Sequence, residues 1–326
     1  MRAIVSRDAS GPGGLIAMEL KDPVPVGGQV LIRVRACGVC RRDVLVSRTA
    51  ARSGLCDPLV LGHEIAGDVV AVGEHAIGVA VGERVATTQR SHVCGCCARC
   101  RRGRETLCAD LSFLGQQSMG GYAELVLVDH DNIARLPDDV PYDLGAIVGC
   151  PVGTALNAVC DTGGVMAGED ILVVGIGGLG SHAVQIARAS GARVIAATRS
   201  PSKEDFLRQI GAHDVVLAPD GAFSSGVRSL TDGKGADLVV DTVGGASFHQ
   251  VLRSVAFGGR IVLVGDVTGE KVALSIASIY RRGLELRSAV STSRVQLSRA
   301  LELVARGQVK PLVDRTMPLS EAAEAH

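Results

Sequence analysis

Two kinds of hydrophobic pattern divide the chain. Up to residue 150 the apolar positions come in short runs with alternation, separated by glycine: GGQVLIRVRACG, EIAGDVVAVGE and YAELVLVDHD. A period of two sets one face of each run on a core and the other in water, which predicts the strands of a β-rich, barrel-like region. Beyond it the apolar runs become continuous. DILVVGIGG reads as a buried strand followed by a glycine turn, and SHAVQIARASGA as a helix that Gly191 ends. ARVIAATRS, DVVLAPD, GADLVVDTVGG and GRIVLVGDVTG predict further strands, KEDFLRQIGA a helix, and residues 294–306 a last helix. Strands alternating with helices imply a parallel, doubly wound sheet, so the fold class is α/β.

Composition narrows the function. The chain has 326 residues, 47% hydrophobic and 21% charged, which excludes disorder. Lys plus Arg and Asp plus Glu are both 34, so net charge favours neither a nucleic acid nor an anionic membrane. Aromatic residues are 2%, too few for a platform on which bases stack. The N-terminal MRAIVSRDAS has no apolar leader, and no run of 18 apolar residues occurs, so a soluble, cytoplasmic protein is expected. In that compartment ten cysteines point to metal or redox chemistry rather than to disulfides.

Four of them, Cys94, Cys97, Cys100 and Cys108, have the spacing C-x2-C-x2-C-x7-C. Such spacing in a loop lets four thiolates converge on one tetrahedral ion, and zinc suits that geometry. A closed four-thiolate site leaves no open position, so this zinc would hold the loop. The alternative is a disulfide pair or redox loop. Cys40, His63-Glu64 and Cys150 are weak signals singly; together they fit a Cys2His site with one open position, the catalytic type.

The segments GVCRRDV, GHEIAGDVVAVG, VGERV, the four-cysteine loop, GGYAELV, GCPVGTALNA and GIGGLG, in that order, resemble the zinc-dependent medium-chain dehydrogenases and reductases along essentially the whole chain. The resemblance implies a GroES-like β-barrel catalytic domain over 1–150, rejoined by 289–326, and a Rossmann domain over 151–288, with the active site between them. It implies that Cys40, His63 and Cys150 bind a catalytic zinc, that Glu64 is a near or transient ligand, and that Asp43 orients the zinc-binding histidine. It also implies pairing of Rossmann sheet edges near LELRSAV, hence a homodimer or homotetramer acting on a small molecule. The family usually continues beyond EAAEAH through a helix to a final strand, so the expectation is either a chain truncated at this end or a barrel that lacks an edge piece.

GIGGLG follows a predicted strand and opens a predicted helix, the context in which a G-x-G-x-x-G turn cradles a pyrophosphate. Gly175, Gly177, Gly178 and Gly180 are its glycines. The residue that selects the dinucleotide stands at the end of the next strand, where NAD enzymes carry an acid. Thr198, Arg199 and Ser200 stand there instead, and a guanidinium with hydroxyls suits a 2′-phosphate, so NADP(H) is expected over NAD(H). By resemblance Lys203 lies near the adenosine ribose, Thr154 beside the nicotinamide, and Val264 and Gly265 at its carboxamide.

One feature departs from the alcohol dehydrogenases. Where they carry a hydroxyl two residues after the first zinc-binding cysteine, and often a histidine five after, this chain has Arg42 and Leu45. Arginine stays protonated and cannot relay an alcohol proton. Arg42-Asp43-Val44-Leu45 and the stretch DTVGGASFHQVLRSVAFGGRIVLVGDV look more like quinone oxidoreductases and acryloyl-CoA reductases, and Arg42 is either a surface residue or a contact to a phosphate or carboxylate. The expected reaction is hydride transfer between NADP(H) and an alcohol or carbonyl compound; the alternative is reduction of an enoyl thioester, enone or quinone. The loops around residues 45–60 and 110–120, expected to select the substrate, carry no motif.

Overall fold

The alternating runs pair with one another. In the computed structural model, which describes residues 1–8, 10–48, 54–267 and 269–326, the strand Gln29–Gly38 lies between Leu125–Asp129 and Glu64–Val72. Arg84–Thr87 and Ile133–Arg135 complete a five-stranded antiparallel sheet. Val30, Ile32, Ile65, Val69, Val85, Val126, Val128 and Ile133 form its buried core, while Arg33 and Arg35 stand in water. That is the in–out division the period-two pattern requires. A smaller pair, Arg90–Val93 with Leu111–Phe113, closes the base of the cysteine loop. Residues 49–53 of the substrate loop lie outside the described residues.

The second sheet has six parallel strands in the order Asp214–Leu217, Arg193–Thr198, Asp170–Val174, Ala236–Asp241, Val255–Leu263, Glu285–Ser288. In chain order this is 3-2-1-4-5-6, the doubly wound arrangement that binds dinucleotides at its reversal point. Ile171, Leu172 and Val173 are all fully buried, as a strand covered on both faces must be. The helix Gly178–Ala189 ends before Gly191, whose φ of +83° suits glycine. Two short helices, Ser224–Leu230 and Phe248–Ser254, were not expected; the second buries Phe248, Val251 and Leu252 at helical spacing, too few turns to stand out.

These sheets belong to two units. One comprises Met1–Gly153, Ser291–Ala305 and Val313–His326, the other Thr154–Val290 and Arg306–Leu312. The expected return of 289–326 to the first unit is thus interrupted. Gln185 explains this: its amide donates to Lys310 O at 3.0 Å and accepts from Lys310 N at 2.8 Å. Leu312 N donates to His182 Nε2 at 3.1 Å, and Val309 is buried. Among the described residues no single helix is long and apolar enough to cross a membrane.

Candidate active site

Strand register brings the first two candidate ligands together. Gly38 pairs with Glu64, so the chain leaving one strand toward Cys40 runs beside the chain entering the next through His63. Glycine at 38 leaves room for this approach, since a Cβ would stand 2.1 Å from Glu64 Oε2 and 2.9 Å from Ile147 Cγ2. Cys40 then caps the helix Arg41–Ser47, and Asp43 at its third position turns back to accept the Cys40 N–H at 3.1 Å. Cys150 arrives from elsewhere in the unit. Gly149 lets it do so, because a Cβ at 149 would lie 2.0 Å from Thr87 O. The result is one ligand atom each from Cys40, His63, Glu64 and Cys150, all within 4.8 Å of one another.

The charges of this cluster are strongly coupled. Asp43 Oδ1 accepts the Gly62 N–H at 3.2 Å and faces His63 Nδ1 at 3.0 Å. Burial alone would raise the Asp43 carboxyl, but the charge and hydrogen bond of His63 and the two backbone N–H groups hold it below the usual range. Burial likewise opposes a charged His63, yet Asp43 and then Cys40 raise the imidazole well above its ordinary value. A hydrogen bond from Cys150 lowers the Cys40 thiol against the effect of burial, with His63 helping, while that bond and burial push Cys150 up. Burial, then the Cys40 charge, raises Glu64. Binding of a cation to such a set requires these shared protons to leave.

The residues fit zinc. His63 Nε2 is buried and has no hydrogen-bond partner, a cost of about 1–3 kcal/mol that a metal ligand bond removes. Its other nitrogen is held by a carboxylate, which fixes the tautomer with the lone pair on Nε2. Two sulfurs and one imidazole nitrogen are the donor set of an open catalytic site.

Two further side chains build the wall. Phe113, which was not singled out from the sequence, packs its ring 5.2 Å from that of His63. Arg42 lays its guanidinium over the Phe113 ring, 4.2 Å from the centroid, and donates to Gln116 Oε1 at 3.2 Å. Arg42 is exposed, and so is Leu45. Phe113 carried no signal because its partners lie 50 and 71 positions away along the chain.

The four-cysteine loop is built differently. All ten cysteines are free, so the disulfide alternative is not what forms. Cys94 Sγ lies 3.5 Å from Cys108 Sγ and 4.0 Å from Cys100 Sγ. Four sulfurs about 2.3 Å from a central zinc would be about 3.8 Å apart, and these separations match that edge. Backbone N–H groups point at the sulfurs, from Cys97 to Cys94 at 3.4 Å and from Cys100 to Cys97 at 3.5 Å, as thiolates require.

In the second unit the glycine motif resolves into distinct roles. Gly175 has φ +86° and makes the turn; a Cβ at Gly180 would stand 2.0 Å from Gly175 O, so helix and strand approach only through glycine. Gly177 caps the helix that begins at Gly178, and a Cβ there would meet nothing within 4 Å. Gly177 therefore keeps an open face beside a helix N-terminus, where a pyrophosphate fits. Lys203 Nζ donates to Ile176 O at 2.6 Å. Thr198 ends its strand, with its hydroxyl accepting the Ser200 N–H at 3.2 Å, and Arg199 is exposed. Val264 and Gly265 follow Val255–Leu263, where Val264 N donates to Asp241 O at 3.0 Å. Thr154 is buried in the helix Pro151–Leu156.

Known proteins share this combination. Residues 27–138 match the model of the alcohol dehydrogenase GroES-like domain, and residues 178–306 that of the zinc-binding dehydrogenases. An acryloyl-coenzyme A reductase of Sulfurisphaera tokodaii is 31% identical over 100% of this chain and 95% of its own length. The chain belongs to the zinc-dependent medium-chain dehydrogenase family. An alcohol dehydrogenase of Geobacillus stearothermophilus is 32% identical over 96% of this chain and 92% of its own. Among solved structures, AibC superposes with a TM-score of 0.94 at 41% identity, covering 100% of this chain and 91% of that one. An NAD-dependent alcohol dehydrogenase superposes with the same score at 36% identity, covering 100% and 95%. The barrel-like and Rossmann-like parts of this dehydrogenase are thus a GroES-like domain and a dinucleotide-type domain, and the chain is an oxidoreductase of the zinc type.

Proposed function

We propose that this dehydrogenase transfers a hydride between NADP(H) and an alcohol or carbonyl substrate, with Cys40, His63 and Cys150 as ligands of a catalytic zinc and Glu64 beside them. The observation that carries the reading is the convergence of these side chains around the unpartnered, buried Nε2 of His63. When bound, zinc supplies a Lewis acid for the carbonyl oxygen and the nicotinamide supplies or accepts the hydride. The chain's own residues do the rest. Asp43 keeps Nδ1 of His63 protonated, and Phe113 packs on one side of the imidazole. Cys94, Cys97, Cys100 and Cys108 hold a second, structural zinc.

The preference for NADP(H) rests on the lack of a carboxylate at Thr198, Arg199 and Ser200. The ratio of kcat/KM with NADPH and NADH tests it. A reducing compartment, the cytoplasm, suits ten free thiols. The outermost strand of the six-stranded sheet, Glu285–Ser288, is the edge through which a second copy would pair, and light scattering on the purified protein tests for the dimer or tetramer.

A second reading is favoured by Arg42. Its guanidinium replaces the relay hydroxyl and has only the neutral Gln116 and Phe113 as described contacts, which leaves donors for an anionic acyl group. In this reading hydride goes to the β-carbon of an enoyl thioester. One experiment separates the two: NADPH with an α,β-unsaturated aldehyde, and the product identified by mass spectrometry and NMR. An unsaturated alcohol supports the carbonyl reading; a saturated aldehyde supports the second.

A further inference from the structure

We propose that Thr242 is a positioning residue for the dinucleotide: its hydroxyl holds the Gly175 carbonyl, and through that peptide unit it turns the Ile176 N–H outward to the pyrophosphate. The proposal rests on the reading of GIGGLG as the dinucleotide turn.

Thr242 reaches the turn from another strand end. Val174 pairs with Asp241, so the chains leaving Asp170–Val174 and Ala236–Asp241 run side by side. Thr242 N donates to Val174 O at 3.1 Å. The Thr242 hydroxyl lies 2.9 Å from Gly175 O and 3.0 Å from Val174 O. A hydroxyl has one proton to give. Val174 O already has a backbone donor, whereas among the described residues Gly175 O has no donor but Thr242. The proton therefore stabilises most at Gly175 O.

The contact is close enough to shape the turn. A Cβ at Gly175 would stand 2.5 Å from Thr242 Oγ1 and 2.4 Å from Val243 Cγ2. The segment that carries Thr242 is itself fixed. Asp241, fully buried, accepts the Val243 N–H at 2.9 Å and the Gly244 N–H at 3.1 Å, and Val267 N donates to Val243 O at 2.9 Å.

Peptide geometry converts these carbonyl contacts into donor positions. In a planar trans peptide the C=O and the N–H that follows it point in opposite directions. Thr242 draws the Gly175 C=O toward itself, so the Ile176 N–H faces away. Lys203 does the same one residue on: its Nζ donates to Ile176 O at 2.6 Å, and the Gly177 N–H faces away from it. Among the described residues neither N–H has a partner. Both adjoin the open side of Gly177 and the N-terminus of the helix Gly178–Ala189, the place of the proposed pyrophosphate.

The competing role for Thr242 is a strut that only joins two strand ends. A strut affects every ligand alike; a positioning residue affects the contact to the pyrophosphate. Thr242→Val keeps the shape and removes the proton. In the full chain its Kd for NADPH is expected to rise about tenfold, the effect of one hydrogen bond to a charged group. Its Kd for adenosine 2′-monophosphate, which has no pyrophosphate, should stay at the wild-type value. Thr242→Ser keeps the hydroxyl and should keep the NADPH affinity. If wild type prefers NADH, then NADH and adenosine 5′-monophosphate replace this pair. Unchanged dinucleotide affinity in folded Thr242→Val, or an equal loss for both ligands, overturns the proposal. If Thr242→Val does not fold, wild-type protein isotope-labelled at isoleucine and glycine decides. On saturation with the dinucleotide the amide resonances of Ile176 and Gly177 are expected to move downfield, and unmoved resonances overturn the proposal. A wild type that binds neither NADPH nor NADH overturns instead the dinucleotide reading on which it rests.

Discussion

Asp43 stands 3.0 Å from His63, and the same carboxylate ties down the backbone N–H groups of Cys40 and Gly62. One buried side chain therefore orients the imidazole and fixes the approach of both chain segments that carry the proposed ligands. Asp43→Asn keeps the size but offers a neutral group that fixes neither tautomer nor charge. We expect zinc affinity and kcat/KM to fall about 10–100-fold. Zinc competition with a chromogenic chelator checks this, and a wild-type affinity would separate Asp43 from the metal site.

The cysteine loop is expected to govern stability and not chemistry. Cys97→Ser should lower bound zinc from two equivalents to one. It should also lower the unfolding temperature by roughly 5–10 °C, the shift that a loss of about 2–3 kcal/mol brings at this size. Residual activity per remaining zinc should stay near wild type. Metal analysis with thermal unfolding monitors both.

Arg42 separates substrates by charge. Arg42→Ser should raise KM for an anionic enoyl thioester about tenfold or more, since hydrogen bonds to charged groups contribute about 1.5–3 kcal/mol. Neutral aldehydes should not lose activity, and Lys at 42 should restore only part of the loss because it lacks the planar fork. Steady-state kinetics on matched charged and neutral substrates checks this; equal effects on both would make Arg42 a surface residue.

The glycine loop offers a contrast between neighbours. Gly180→Ala drives a methyl into Gly175 O and should destabilise the protein by roughly 1–3 kcal/mol. Gly177→Ala meets no protein atom, so stability should change little while dinucleotide affinity falls. Urea unfolding and fluorescence titration with NADPH separate the two effects.

His182 sets a pH limit. Burial lowers its imidazole to about 4, against the backbone carbonyl of Gly178, to which Nδ1–H donates at 2.6 Å. Its ordinary value is 6.5, so between those values the unfolded chain binds the proton and the folded one does not. Stability is therefore complete above the unfolded value and declines as pH falls toward 4, by roughly 3 kcal/mol in all from this group. Urea unfolding from pH 7 to 4.5 should show this decline, and His182→Gln should flatten it.

Local features were legible in the sequence because they rest on short-range physics. A period of two made the strands of the first unit visible, and continuous apolar runs made those of the second. The four-cysteine spacing and the G-x-G-x-x-G turn each close within one loop, so their residues converge whatever the rest of the chain does. The proposed catalytic constellation was legible only as a set of separate weak signals until a family resemblance joined them. Its assembly depends on the register that sets Gly38 against Glu64 and on the approach of Gly149 to Thr87. A one-residue slip would undo that register without changing any local propensity. Phe113 against His63, and Gln89 against Ser291 across 202 positions, were invisible for the same reason. Sequence period and turn chemistry determined which elements form. Packing between segments remote in sequence decided which side chains meet, because those contacts exist only once the register is set.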